Sequence, residues 1–185
     1  MVQRGNVALV VFLRGINVGG HRHFRPSALA RQLDHLGVRN IGAAGTFVIW
    51  GRVGRSRLRA ELLKRLPFAT EIVICNGQEI VRLASRDWFS NELVRPDVVR
   101  FASVLSRTPR ATPSIPTSLP SRRRWLVKVL AREKRFVVGV YRRHMKVISY
   151  LGSLDRVFGV PCTTRNWNTI NAIAKVVGRG ANSPR

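Results

Sequence analysis

Seven consecutive apolar residues, Val7-Ala-Leu-Val-Val-Phe-Leu13, break off at Arg14-Gly-Ile-Asn-Val-Gly-Gly20. The unbroken apolar run suits a central strand covered on one or both faces. The three glycines that follow let the backbone turn sharply or approach another group closely. Pro26 then fits the first turn of a helix, where its missing donor costs little. A buried strand that turns through glycine into a helix commits the chain to an α/β architecture.

The next elements follow from spacing. Leu29, Leu33 and Leu36 recur at helical intervals and form a buried stripe, with Gly37 as the stop. Residues 38–43 allow a short second strand. Residues 46–50 make a clearer third one, with Gly45 in the turn between them. Leu58, Leu62 and Leu66 stack along a second helix that Pro67 ends. Glu61 can pair with Arg57 or Arg65 on its polar side. Residues 71–75 read as a fourth strand. The order strand, helix, strand, strand, helix, strand is ferredoxin-like. Asn76 and Glu79 match a helix cap and its reciprocal acidic partner, ahead of core-facing Ile80, Leu83 and Ala84. Trp88, Phe89 and Leu93 are expected to pack this segment down.

The second half reads as a sheet with helices near its end. Residues 98–105 form a strand. Residues 106–120 carry prolines at 109, 113, 116 and 120 among serines and threonines, the composition of an exposed loop. Residues 125–130, 136–141 and 145–150 suggest consecutive antiparallel strands. A short helix over 153–158 follows, and a last helix begins between Asn166 and Thr169. Ile170, Ile173, Ala174 and Val177 give that last helix its apolar face. The fold class is therefore α+β: two small α/β lobes with ferredoxin-like (βαββαβ) character, the second divergent. The expected division is a lobe over 1–95, a second lobe over 96–180, and a frayed tail over 181–185. One continuous α/β domain is the alternative.

Composition bounds function. No stretch approaches about 20 uninterrupted apolar residues. Arg14 interrupts the N-terminal apolar run before it makes a signal-peptide core. The expectation is a soluble, cytoplasmic protein. Two cysteines, Cys75 and Cys162, are too few and too far apart for a disulfide framework or a metal knuckle. The formal net charge is +24. Residues 1–100 hold 16 basic and seven acidic side chains, against 17 and two in 101–185. Such a field attracts polyanions in a salt-sensitive way. A general arginine bias gives the same count, so the charge alone assigns no partner.

Two motifs stand out. Around the first, Arg14, Gly15, Asn17, Gly19, Gly20, His21 and Arg22 place backbone donors and cations ahead of a helix, where an anion can sit. Gly15 and Gly20 have the outer spacing of a P-loop. His21 and Arg22 stand where its Lys and Ser or Thr belong, which speaks against an ATPase. The bland alternative is a tight turn with solvated basic side chains. The second motif is Thr163-Thr-Arg-Asn-Trp-Asn-Thr169. Thr164, Asn166 and Asn168 suit caps and turns. Arg165 can hold an anion near the helix start, and Trp167 can stack a ring. Equally, Trp167 can seal the last helix against the sheet.

Other chemistry is thin. His21 and His23 lack a suitably spaced third metal ligand, so neither metal nor cofactor is expected. There is no Gly-x-Ser-x-Gly elbow and no evident carboxylate pair. Nucleic-acid contact, if any, points to Arg122, Arg123, Arg124, Arg142, Arg143 and Lys146.

The two motifs, read as Phe12-Leu-Arg-Gly-Ile-Asn-Val-Gly-Gly20 and Gly159-Val-Pro-Cys-Thr-Thr-Arg-Asn-Trp-Asn-Thr169, resemble the bacterial DUF1697 family. The resemblance implies a two-lobed α/β fold with ferredoxin-like elements and carries no catalytic assignment. Two departures stand out. Ala44-Gly-Thr-Phe-Val48 replaces a Ser-Gly-Asn-Val-type segment, and a Ser-Lys-Leu segment before the last motif is absent. If those polar groups belong to a site, this chain has an altered one.

Three functions compete on this reading. The first is binding of a small phosphate- or carboxylate-bearing ligand between the Gly-rich loop and the start of the last helix. The second is nucleic-acid binding by the basic second half. The third is an enzyme acting on an anionic metabolite, with His21 exchanging a proton.

Overall fold

The computed structural model describes residues 8–16, 24–121 and 124–181. By its internal contacts the chain divides into two compact units, one of residues 1–85 and 171–185, the other of residues 86–170.

The first unit opens with β1 (Leu9–Leu13), α1 (Pro26–Gln32), a 3-10 turn over Asp34–Leu36, β2 (Val38–Asn40) and β3 (Thr46–Ile49). It continues with α2 (Arg55–Arg65), β4 (Ile72–Asn76) and α3 (Gly77–Ala84). The sheet order is β2-β3-β1-β4, all neighbours antiparallel. This is the ferredoxin-like arrangement that the strand and helix order predicted. β1 is central and every one of its residues is buried, as its unbroken apolar run requires. Leu9, Val11 and Leu13 meet Leu29, Leu33, Leu58 and Leu62 from the helices in one core. Full burial of each such leucine stabilises by roughly 1.5–3 kcal/mol. Pro26 opens α1 and a left-handed Gly37 (φ 61°) closes the turn after it. Asn76 caps α3 in the expected capping box: its side chain accepts from Gln78 N, and Glu79 accepts from Asn76 N.

The second unit carries β5 (Val98–Leu105), β6 (Thr117–Leu119), β7 (Val127–Glu133), β8 (Phe136–Arg142), α4 (Val147–Phe158) and β9 (Cys162–Asn166). The last helix, α5 (Trp167–Ala181), starts here, and residues 171–181 of it count with the first unit. The sheet order is β6-β7-β8-β5-β9. Without the edge strand β6, the order β7-β8-β5-β9 repeats the first sheet strand for strand. β5, β7, β8 and β9 take the places of β1, β2, β3 and β4, and α4 stands for α2. The helix that should join the first two strands is replaced by the proline-rich segment. That substitution is what makes the second lobe divergent.

Three expectations change. Residues 147–150 are helical, not a third hairpin strand, because Val147, Leu154 and Phe158 lie seven and four residues apart and together reach one core. Thr117–Leu119 forms an edge strand inside the proline-rich segment. It is flanked by Pro116 and Pro120, which an edge tolerates. Cys162–Asn166 is a strand paired with β5, where the polar sequence had suggested only turns and caps.

Candidate functional site

Each motif is held by its own unit. In the first, Arg14 N donates to Glu71 O (3.0 Å), and Thr70 Oγ1 donates to Arg14 O (2.6 Å). Gly15 takes a left-handed backbone (φ 66°), and Ile16 is buried in the first core. The glycine-rich turn is thus pinned where it leaves β1. Asn17, Gly19, Gly20, His21 and Arg22 lie outside the described residues, as do His23, Arg122 and Arg123. In the altered segment after β2, Gly45 has φ 68°, and its carbonyl accepts from Leu13 N (2.8 Å). A Cβ there would come within 3.0 Å of Ile16 and Leu13, so glycine is needed for both conformation and space.

In the second unit, β9 alternates its side chains across the sheet. Thr164 meets Ser103 of β5 through their hydroxyls at 2.6 Å, and Ser103 is fully buried. Arg165 is on the other face, only 6% exposed. One terminal nitrogen donates to Thr163 Oγ1 and to Thr164 O, both at 2.8 Å. Burial lowers the Arg165 pKa from the ordinary guanidinium range to about 10, so the side chain still carries its charge at neutral pH. Asn166 caps α5, its Oδ1 accepting from Thr169 N and Thr169 Oγ1, both at 2.9 Å. Trp167 is partly buried and meets Phe89 edge to face at 4.8 Å. Asn168 is exposed on the first turn of the helix. This corner offers a buried cation, two polar side chains in solvent and an aromatic edge within six residues of chain.

The basic candidates divide by environment. Arg124, Arg143 and Lys146 are exposed. Arg142 is not: its side chain is 11% exposed, pairs with Asp97 at 2.7 Å, and lies 4.4 Å over the Trp125 ring.

Arg142 belongs to a feature that sequence reasoning missed. Asn91, Glu92, Leu93, Arg95, Val98, Trp125, Lys128 and Arg142 line a cavity of about 250 Å³. Leu93, expected to pack down, is 75% exposed at its rim. Phe89 does pack, at 5% exposure. No local pattern marks this wall. It is assembled by the pairing of β5, β7 and β8, which sets Val98 opposite Arg142 and Lys128 opposite Val140. Among the described residues, no group of three or more His, Cys, Asp and Glu side chains is placed to hold a metal ion. No helix among them is long and apolar enough to cross a membrane.

Comparison with known proteins agrees with the architecture. The family described as "Protein of unknown function (DUF1697)" matches residues 7–120, more than half of the chain. The chain belongs to this family. No curated protein matches it. Among solved structures it is similar to a conserved bacterial protein from Streptococcus pneumoniae, with a TM-score of 0.57 and 14% identity. The likeness covers 92% of this chain and 98% of that one. At that identity the likeness speaks for the fold, and DUF1697 membership supplies no chemistry, so function has to be argued from the residues.

Proposed function

We propose that this DUF1697 protein binds a small phosphate- or carboxylate-bearing ligand. The recognition elements are those of the strand-to-helix corner, Thr164, Arg165, Asn166, Trp167 and Asn168. The observation that carries this reading is Arg165. Keeping a guanidinium charged at 6% exposure costs desolvation energy. A chain selected only for packing would place an apolar residue in the middle of a strand. Beside that cation, the start of α5 adds backbone donors and a favourable dipole for an anion. Asn168 and Trp167 supply a hydrogen-bonding group and a ring edge.

Isothermal titration with inorganic phosphate and with citrate tests the proposal. Binding of either ligand should weaken about tenfold in Asn168→Ala, an exposed position whose change leaves the fold intact. Absence of binding by both anions, or binding indifferent to Asn168→Ala, rejects the reading.

A second reading rests on the exposed run Arg143, His144, Met145 and Lys146 after β8. Such a turn suits phosphate contacts along a nucleic-acid backbone. Its test is a salt titration of single-stranded DNA binding. The double variant Arg143→Ala, Lys146→Ala should flatten the slope of log K against log salt by about 1.4, at about 0.7 per lost contact on a single strand. An unchanged slope assigns the attraction to overall charge.

A further inference from the structure

The cavity beside Arg142 lies wholly within the second unit and uses no residue of either motif. Three cations, Arg95, Lys128 and Arg142, line it against one carboxylate, Glu92. Lys128 is held by Glu92, and Arg142 is fixed by Asp97 and by the Trp125 ring. Arg142 Nε is nevertheless buried with no hydrogen-bond partner among the described residues. A donor left so costs about 1–3 kcal/mol unless something fills the place. Arg95 is exposed and makes no ion pair among the described residues, so its planar donor fork is available to an anion. The remaining wall is of another kind. Trp125 and Val98 are partly buried, and Leu93 stands in solvent at 75% exposure.

A ligand that satisfies both walls has a flat apolar ring and an anionic group close to it. Inorganic phosphate would leave the apolar wall uncovered. A neutral ring would leave the cations unused. We infer that this cavity binds a single nucleotide unit, with the ring against Trp125 and Leu93 and the phosphate on Arg95 and Arg142. The volume of about 250 Å³ is on the scale of a nucleobase-sized ring with its phosphate. The nucleotide arrives either free or as part of a single strand, which offers the same ring and phosphate.

The test is calorimetric titration of the full chain with AMP, adenosine and inorganic phosphate at about 150 mM salt, where long-range attraction is screened. AMP should bind, adenosine should bind at least about tenfold more weakly, and binding of phosphate alone should not respond to Arg95→Ala. Arg95→Ala and Trp125→Ala should each weaken AMP binding about tenfold or more. Arg57→Ala, which removes an equal charge from α2 in the other unit, should leave it unchanged. Arg95 is exposed, so its variant keeps the test decisive if Trp125→Ala does not fold. A six-nucleotide oligoadenylate separates the two sources. Binding at least tenfold tighter than AMP, and sensitive to Arg95→Ala, identifies a strand; equal binding identifies the free nucleotide. The inference is overturned if AMP does not bind, if phosphate alone binds as tightly and with the same sensitivity to Arg95→Ala, or if Arg57→Ala weakens binding as much as Arg95→Ala.

Discussion

Asn76 and Asn166 stand at equivalent points of the two sheets. Asn76 ends β4 opposite Leu9 of β1, and Asn166 ends β9 opposite Phe101 of β5. Each side chain then caps the helix that follows, Asn76 through Gln78 N and Asn166 through Thr169 N. The correspondence runs along the strands: Leu13 pairs with Ile72 as Leu105 pairs with Cys162. The two lobes therefore share one strand plan down to the register, although their sequences share little beyond the cap.

That shared cap gives the first prediction. Asn76→Ala and Asn166→Ala should each destabilise by about 1 kcal/mol, the usual loss when a capping side chain is removed. Asn166→Ala should cost the more of the two, because Asn166 Oδ1 accepts from both Thr169 N and Thr169 Oγ1, whereas Asn76→Ala keeps the backbone N–H that donates to Glu79. Asn→Ser at either place should recover most of the loss. Urea unfolding midpoints measure this. Equal stability of both alanine variants and the parent would mean the caps are redundant.

The repeat also locates a position where the lobes differ. Ile49 of β3 lies opposite Leu9, whereas the matching residue of β8 is Gly139, opposite Phe101. A Cβ at Gly139 would fall 2.2 Å from Lys128 O and 2.8 Å from the Phe101 ring. Gly139→Ala must push back the β7 backbone, and should cost about 3 kcal/mol, the upper range for overpacking. Gly152→Ala is the control. It lies within α4 with nothing near its would-be Cβ, and should stabilise by up to about 1 kcal/mol through helix propensity. Chemical denaturation of the two variants should thus move in opposite directions.

Much of the first lobe was legible because its apolar residues recur at periods only one structure satisfies. Leu29 with Leu33, and Leu58 with Leu62, all buried, mark helices, and residues 9–13 mark a covered strand. β9 was not legible. Thr163, Thr164 and Arg165 carry no strand pattern, and their conformation is set by pairing with β5 and by the Ser103–Thr164 hydroxyl contact, 61 residues apart. Val147 and Ile148 looked like strand residues because β-branched side chains favour strands, but tertiary packing overrode that preference. The candidate corner at Thr164–Asn168 was visible as a motif. The Trp125–Arg142 cavity was not, since its wall joins loop residues 91–95 and Trp125 to Val98, Lys128 and Arg142 of three paired strands.

The Arg142–Asp97 pair should behave as a half-buried one. Arg142 is 11% exposed but Asp97 is 46% exposed, so solvent screens the carboxylate. Asp97→Asn should cost no more than about 1 kcal/mol. Arg142→Lys keeps a charge near Asp97 yet loses the planar stack on Trp125, and should cost a similar amount, about 1 kcal/mol. Raising salt should shrink the first effect and leave the second nearly unchanged. A double-mutant cycle by urea unfolding checks both. Loss of the Arg142→Lys penalty when Trp125 is Leu would assign it to the stack.

Arg165 gives the pH-dependent prediction. Desolvation lowers its pKa from the ordinary guanidinium range to about 10 in the folded chain. Below pH 10 the folded and unfolded states both hold the proton, so the penalty for the buried charge is constant there. Above about pH 10, until the unfolded guanidinium also loses its proton, the unfolded state binds more protons than the folded one, and stability contributed at this position rises with pH. Arg165→Met abolishes the titration along with the charge. The difference in unfolding free energy, parent minus Arg165→Met, should therefore be flat from about pH 6 to 9 and climb in the parent's favour above pH 10. Urea unfolding of both proteins across that range measures it, and the titration of every other group cancels in the difference. A flat difference up to pH 11.5 would mean that the guanidinium keeps its proton inside the fold, held by Thr163 Oγ1 and Thr164 O more strongly than burial opposes it. That outcome would also remove the energetic cost on which the anion-site reading of β9 depends.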